Sequence, residues 1–279
     1  MATGVLRSFA AGAVLARGAL AWIRRDPNAA RLERTNFHGR TVSLAGGPAL
    51  AVAATTAAAL GARGGRTTTA VLTAGCVAGA VGFYDDVVGN RPEQKAAKGF
   101  AGHLSALREG RVTSGLVKIA GVGAAGLAAS ALIGGRTGDG PRRIVDVLLG
   151  AGVVAGMANF VNLLDLRPGR AIKAGTLLGA PLALGRGGGV AAGALGAGCG
   201  LFPEDLGEEI MLGDAGANAL GALLGVALTE RTGTAGRAAA LAAIGALTAA
   251  SEKVSFTKVI QDTPWLRRLD ELGRRPPQA

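Results

Sequence analysis

Four aspartates stand where charge is unusual. Asp85 and Asp86 are adjacent in "GFYDDVVGN", directly after the uncharged run "TTTAVLTAGCVAGAVGFY". "ANFVNLLDLRPG" spaces Asn159, Asn162 and Asp165 at i, i+3 and i+6, one polar stripe on an otherwise apolar helical segment. "MLGDAGANALG" sets Asp214 between Gly213 and Gly216 at a helix start. Free backbone N–H groups there favour phosphate, and Gly213 lets a ligand come close. The plainer role for Asp214 is to cap that helix. Clustered carboxylates repel unless a cation or proton sits among them. Oxygen-only ligands suggest a hard cation, Mg²⁺ with Mn²⁺ as a substitute. Mg²⁺ usually takes one or two carboxylates and completes its shell with water and substrate phosphate. The pattern therefore points to phosphate chemistry. Arg91, Lys95, Lys98, Arg170 and Lys173 are placed to hold further phosphate charge.

The surrounding chain must hold these groups together. Hydrophobic residues make up 49% and charged residues 18%, which argues against disorder. Long blocks of Ala, Gly, Leu and Val suit helices packed closely in lipid, where small residues let backbones approach. "GCVAG" at Gly75 to Gly79 is one such pair. The net charge of +11 is not read as nucleic-acid binding, because interleaved aromatic and basic residues are missing. Cys76 and Cys199 lie in apolar blocks and read as small core residues. Arg7 and Arg17 interrupt the first apolar stretch and no cleavage site follows, so no cleavable signal peptide is expected.

The expected fold is all-α, a polytopic membrane bundle of nine spans near 4–23, 42–62, 67–84, 112–134, 144–164, 171–186, 187–203, 215–229 and 235–251. With the N-terminus outside, the inner segments hold more than twice as many Lys and Arg as the outer ones. That orientation puts Asp85, Asp86, Asp165 and Asp214 on one inner face, although none of them entered the orientation argument. Residues 1–251 form the membrane domain and 252–279 a cytoplasmic tail. In the tail, Trp265, Leu266, Leu269 and Leu272 share a helical face opposite arginines. This suits a helix lying on the inner membrane surface and equally a soluble cap helix.

"GFYDDVVGNRP", "NFVNLLD" and "MLGDAGANALG" together resemble the three acidic signatures of the polyprenyl-phosphate N-acetylhexosamine-1-phosphate transferases. "AGGPAL" at 45–50 resembles that family's early Gly-Gly stretch, so the likeness runs in order over about residues 36–230. It implies a Mg²⁺-dependent plasma-membrane enzyme with a cytoplasmic site. Such an enzyme transfers a sugar-1-phosphate from a UDP-sugar to a polyprenyl phosphate and releases UMP, in cell-envelope glycan synthesis. By motif, Asp85 and Asp86 match the aspartate pair that engages lipid phosphate. Asn159, Asn162 and Asp165 match the Asn-x-x-Asn-x-x-Asp stretch, and Asp214, with Asp86, the metal site. Lys95, Lys98 and Gly213 fall to substrate. The expected partners are the lipid phosphate, the nucleotide sugar and the membrane; a homodimer is left open. A phosphate monoester has a second pKa of about 6 and is mostly ionised at pH 7. Positioning and charge neutralisation can then supply most of the catalysis.

The chain departs from the family pattern at Leu166, which stands where the first Gly of Asp-Gly-x-x-Gly would be, and at Met211, in place of an aromatic. The family's late His-rich motif is absent; "SEKVSFTKVIQDTPWLRRLDELGR" holds its place, and the two histidines are His38 and His103. Two other readings stay open. One is a non-catalytic relative that binds isoprenoid phosphate or an envelope-assembly partner. The other is an ion-coupled transporter, which would place carboxylates near mid-bilayer.

Overall fold

The computed structural model describes residues 2–89, 91, 99–134 and 140–275. Among these the chain is helical apart from one small hairpin. Helix α1 spans Ala2–Arg24, and strands β1 (Glu33–Thr35) and β2 (Thr41–Ser43) follow. Next come α2 (Gly46–Gly61), α3 (Gly65–Val88), α4 (Gly99–Arg108), α5 (Ser114–Gly134) and α6 (Pro141–Leu164). The second half holds α7 (Arg170–Gly179), α8 (Gly188–Leu206), α9 (Gly213–Arg231) and α10 (Thr234–Ser251). Two short helices close the chain, α11 (Phe256–Asp262) and α12 (Pro264–Glu271).

Helix occurs in each of the nine segments expected to be helical. Four helices, α1, α3, α5 and α6, are long and apolar enough to cross a membrane. The 24 residues of α3 reach about 36 Å at about 1.5 Å per residue, more than a hydrocarbon core of about 30 Å. α2 is apolar but shorter, and α10 passes the same test only with α11, from which it is bent by 90°. The sixth expected span is broken. α7 ends at Gly179, and Pro181 opens a 3₁₀ turn, since proline has no N–H to continue the helical ladder. The second starts late because residues 41–43 pair with 33–35 before the helix begins.

α9 is the axis of the bundle. Nearly all its side chains are buried, and α2, α3, α5, α6, α7 and α8 pack on it. Small residues sit where backbones meet. A Cβ at Gly225 would lie 2.7 Å from Val154 Cα of α6, and one at Gly200 2.6 Å from Ala13 O of α1. Gly75 and Gly79 of the "GCVAG" pair face Thr55 and Ala51 of α2. Cys76, one step round α3, is exposed rather than a core residue, and Cys199 is half-buried; neither forms a disulfide.

The two ends of the bundle differ. At one end Asp146, near the start of α6, pairs with Arg237 of α10 at 2.9 Å, both buried. Arg237 also donates to the Thr229 carbonyl at the end of α9. This joins three helices at the end remote from the aspartates of interest. At the other end lie the last turn of α3, the first turn of α5, the end of α6 and the start of α9.

Candidate functional site

The ends of four helices bring the aspartates of distant motifs to one place. Asp85 and Asp86 close α3, and adjacent side chains on a helix differ by about 100°. They therefore face different neighbours. Asp85 turns to α5, where the Lys118 ammonium lies 2.7 Å from its carboxylate. Lys118 also bonds Asp214, and the Asp85 and Asp214 carboxyl groups are within hydrogen-bonding range of each other. Asp86 turns to α9 and accepts the backbone N–H groups of Asp214 and Ala215, each at 2.9 Å. The start of α9 is thus capped by Asp86 from another helix, which frees Asp214 from the capping role open to it by sequence.

The glycines of the motifs permit this approach. Gly213 has φ +57°, in the left-handed region, and a Cβ there would stand 2.8 Å from Asp86 Oδ1. Gly46 of the Gly-Gly stretch packs on the Met211 carbonyl and Gly47 on that of Leu212, so the early motif touches the late one. Gly213→Ala should cost about 2–4 kcal/mol, combining the left-handed penalty with loss of the cap. Denaturation of the purified variant in detergent measures that loss.

Asp165 is the residue just past α6, not within it, and is partly buried. It bonds the Gly213 backbone and lies within electrostatic reach of Asp205, Asp214 and Asp86. Asn162 is half-buried one turn back, and Asn159 is exposed. Lys95 and Lys98 lie outside the described residues, as does the His103 side chain. Arg170 and Lys173 are engaged by the tail: Arg170 pairs with Asp270 at 2.8 Å, and Lys173 donates to the carbonyls of Asp270 and Leu272.

Three participants were not anticipated. Lys118 is the counter-ion of the cluster; its signal is a lone cation inside the apolar run "SGLVKIAG". Asp205, buried at the end of α8, accepts the Gly169 N–H at 3.0 Å. Glu208 has φ 54° and an almost wholly buried carboxylate. It accepts Asn36 at 2.5 Å, Arg40 at 3.0 Å and His38 Nδ1 at 3.1 Å. The β1–β2 hairpin is thereby held to the connection between α8 and α9, where Ser43 also exchanges backbone bonds with Glu209 and Met211.

A cavity of about 250 Å³ opens beside Asp165, lined among others by Phe37, Arg167, Asp205, Glu208 and Met211. Arg167 lies 3.9 Å over the Phe37 ring. Burial works against the Glu208 charge, but bonds from His38 and Asn36 outweigh it and hold the carboxyl below its ordinary range. A lowered carboxyl pKa stabilises the fold above the unfolded value and is lost as pH falls below it. The hairpin should therefore stay docked from pH 5 to 8 and come loose below about pH 4. Protease cleavage between residues 33 and 43, followed against pH, reads this directly; the Glu208→Gln variant should be cut at neutral pH.

No protein-family model matches the chain. A search of curated proteins likewise returns no match. The functional reading rests on the geometry and on the motifs.

The donor set suits a hard divalent cation. Asp85 and Asp214 bring carboxylate oxygens from two helices to one point that stays partly open to solvent, where the Lys118 ammonium now sits and a cation would have to displace it. Among the described residues no third His, Cys, Asp or Glu joins them in a ligand group. Mg²⁺ needs no more, since water and phosphate fill the rest of its shell.

Proposed function

We propose that the protein is a membrane phosphotransferase that moves a sugar-1-phosphate from a UDP-sugar to a polyprenyl phosphate, releasing UMP, in cell-envelope glycan synthesis. The observation that carries this reading is the joining of Asp85, Lys118 and Asp214 at one end of an apolar bundle, with Asp86 and Asp165 beside them. Three motifs far apart in the chain supply one compact set of charges. Nine spans with the N-terminus outside would put that end at the cytoplasmic face of the plasma membrane, where nucleotide sugars are available.

In this reading an oxygen of the ionised lipid phosphate attacks the β-phosphorus of the donor. A new P–O bond forms, the bond between the β-phosphorus and the bridging oxygen breaks, and UMP leaves with that oxygen. No proton has to be removed from the nucleophile. Lys118 neutralises phosphate charge at the aspartate cluster, and Asp86 fixes the start of α9 so that Asp214 is held in place. Asp214 and the aspartate pair would hold Mg²⁺, which supplies charge neutralisation on the transferring phosphoryl group. The cavity beside Asp165 would receive the nucleotide, with Arg167 and Phe37 at its rim and Asn162 facing the same end.

Purified protein in lipid nanodiscs, given polyprenyl phosphate, Mg²⁺ and a panel of UDP-sugars, should release UMP with at least one donor. No release from any donor, under conditions where an authentic transferase of this class turns over, sinks the proposal. A second reading, lipid-phosphate binding without turnover, is favoured by Lys118, whose ammonium occupies the point between the two metal-facing carboxylates.

A further inference from the structure

The tail offers two faces. Asp270 is buried and takes Arg170 through two bonds, 2.8 and 2.9 Å, and Arg274 at 2.6 Å. Arg274 also donates to the Pro168 carbonyl at 2.8 Å, and Lys173 to two carbonyls of the tail. This inward face clamps the tail to the first turn of α7, and through Pro168 to the loop that begins at Asp165. The outward face is apolar. Trp265, Leu269 and Leu272, spaced i, i+4 and i+7, are 63%, 47% and 67% exposed. Arg268, one residue before Leu269 on the same helix, is also exposed.

The path of the chain tells what covers this face. α10 and α11 together pass as an apolar span, yet they meet at 90°. With α10 crossing a bilayer, α11 at right angles to it runs along the surface, and α12 begins one residue later, after Thr263. An amphipathic helix so placed sinks its aromatic and leucine side chains into the headgroup boundary and keeps arginines level with lipid phosphates. We infer that α12 is a surface anchor whose Trp265–Leu269–Leu272 stripe binds an anionic lipid bilayer while its Asp270 face grips the start of α7. The inference rests on reading the chain as a membrane protein and is independent of the transfer reaction. It sets the depth of the bundle, because α7, which the anchor grips, follows Asp165 by a short loop. Anionic headgroups are the occupant favoured by charge, since each arginine near such a surface strengthens binding about fivefold.

Trp265 is its own probe. The chain has two tryptophans, and Trp22 is exposed on α1, so W22F leaves Trp265 alone. The full-length W22F protein is reconstituted in vesicles of phosphatidylcholine, with and without phosphatidylglycerol. Bromines on the acyl chains should quench Trp265 and aqueous iodide should not, with stronger bromine quenching in the anionic vesicles. Arg268→Gln should narrow the difference between the two lipids about fivefold. Iodide quenching in both vesicles, with no effect of bromine, overturns the inference while leaving the membrane reading intact. Protection from both quenchers that grows with the protein-to-lipid ratio overturns it in favour of a second copy. Failure to incorporate into vesicles overturns both.

Discussion

Replacing Lys118 with methionine is expected to unbalance the whole cluster. Asp85 and Asp214 would be left facing each other without a counter-ion. Breaking a buried ion pair in this way costs about 3–5 kcal/mol. The three side chains keep 15–23% of their surface, so the loss should fall toward the lower end of that range. The same substitution should tighten divalent binding, because the ammonium no longer competes for those oxygens. Thermal unfolding of Lys118→Met in detergent should therefore show a lowered midpoint that Mg²⁺ or Mn²⁺ largely restores, an effect absent or weak in the parent. Turnover in the proposed reaction should fall as well, since Lys118 is the cation bonded to both Asp85 and Asp214. A variant that melts like the parent and ignores divalent ions would mean that the Asp85–Asp214 juncture holds neither charge nor metal.

Asp214→Asn should separate the catalytic from the binding reading. Asparagine keeps the shape and the first turn of α9, because the cap comes from Asp86 onto backbone N–H groups that the substitution leaves in place. Stability should change by less than about 2 kcal/mol. UMP release should drop by at least about 100-fold, as when one preorganised electrostatic contact is removed from a transfer site. Polyprenyl phosphate binding should weaken far less. If UMP release survives in Asp214→Asn, the carboxylate is structural and the proposed metal position is wrong.

The sequence showed the ends of the helices better than the contacts between them. Asp85 and Asp86 were legible because they terminate a long uncharged run, and Asp214 because glycines bracket it. Which neighbour each addresses was not, since that depends on the rotation of α3 against α5 and α9. Lys118 lies inside the expected span 112–134, and a solitary cation in such a run is itself the clue. Asp205 and Glu208 were missed because the stretch 204–214 was weighed only for Lys and Arg. It has none, and four of its five acids, at 204, 205, 208 and 209, went unused beside Asp214. The β1–β2 hairpin left no trace because three-residue strands have too little alternation to register. The tail pattern was visible as amphipathic, but its inward grip through Asp270 needed the position of Arg170.

The paired carboxylates at the end of α3 give this helix the character of a key in a lock. One tooth engages Lys118 and the other the opening amides of α9, while Gly75 and Gly79 further up let the shaft lie flush against α2. A turn of the shaft by a single residue would present each tooth to the wrong ward. α3 therefore has one seating, and any motion that opens the site must carry α3 and α9 together as one body.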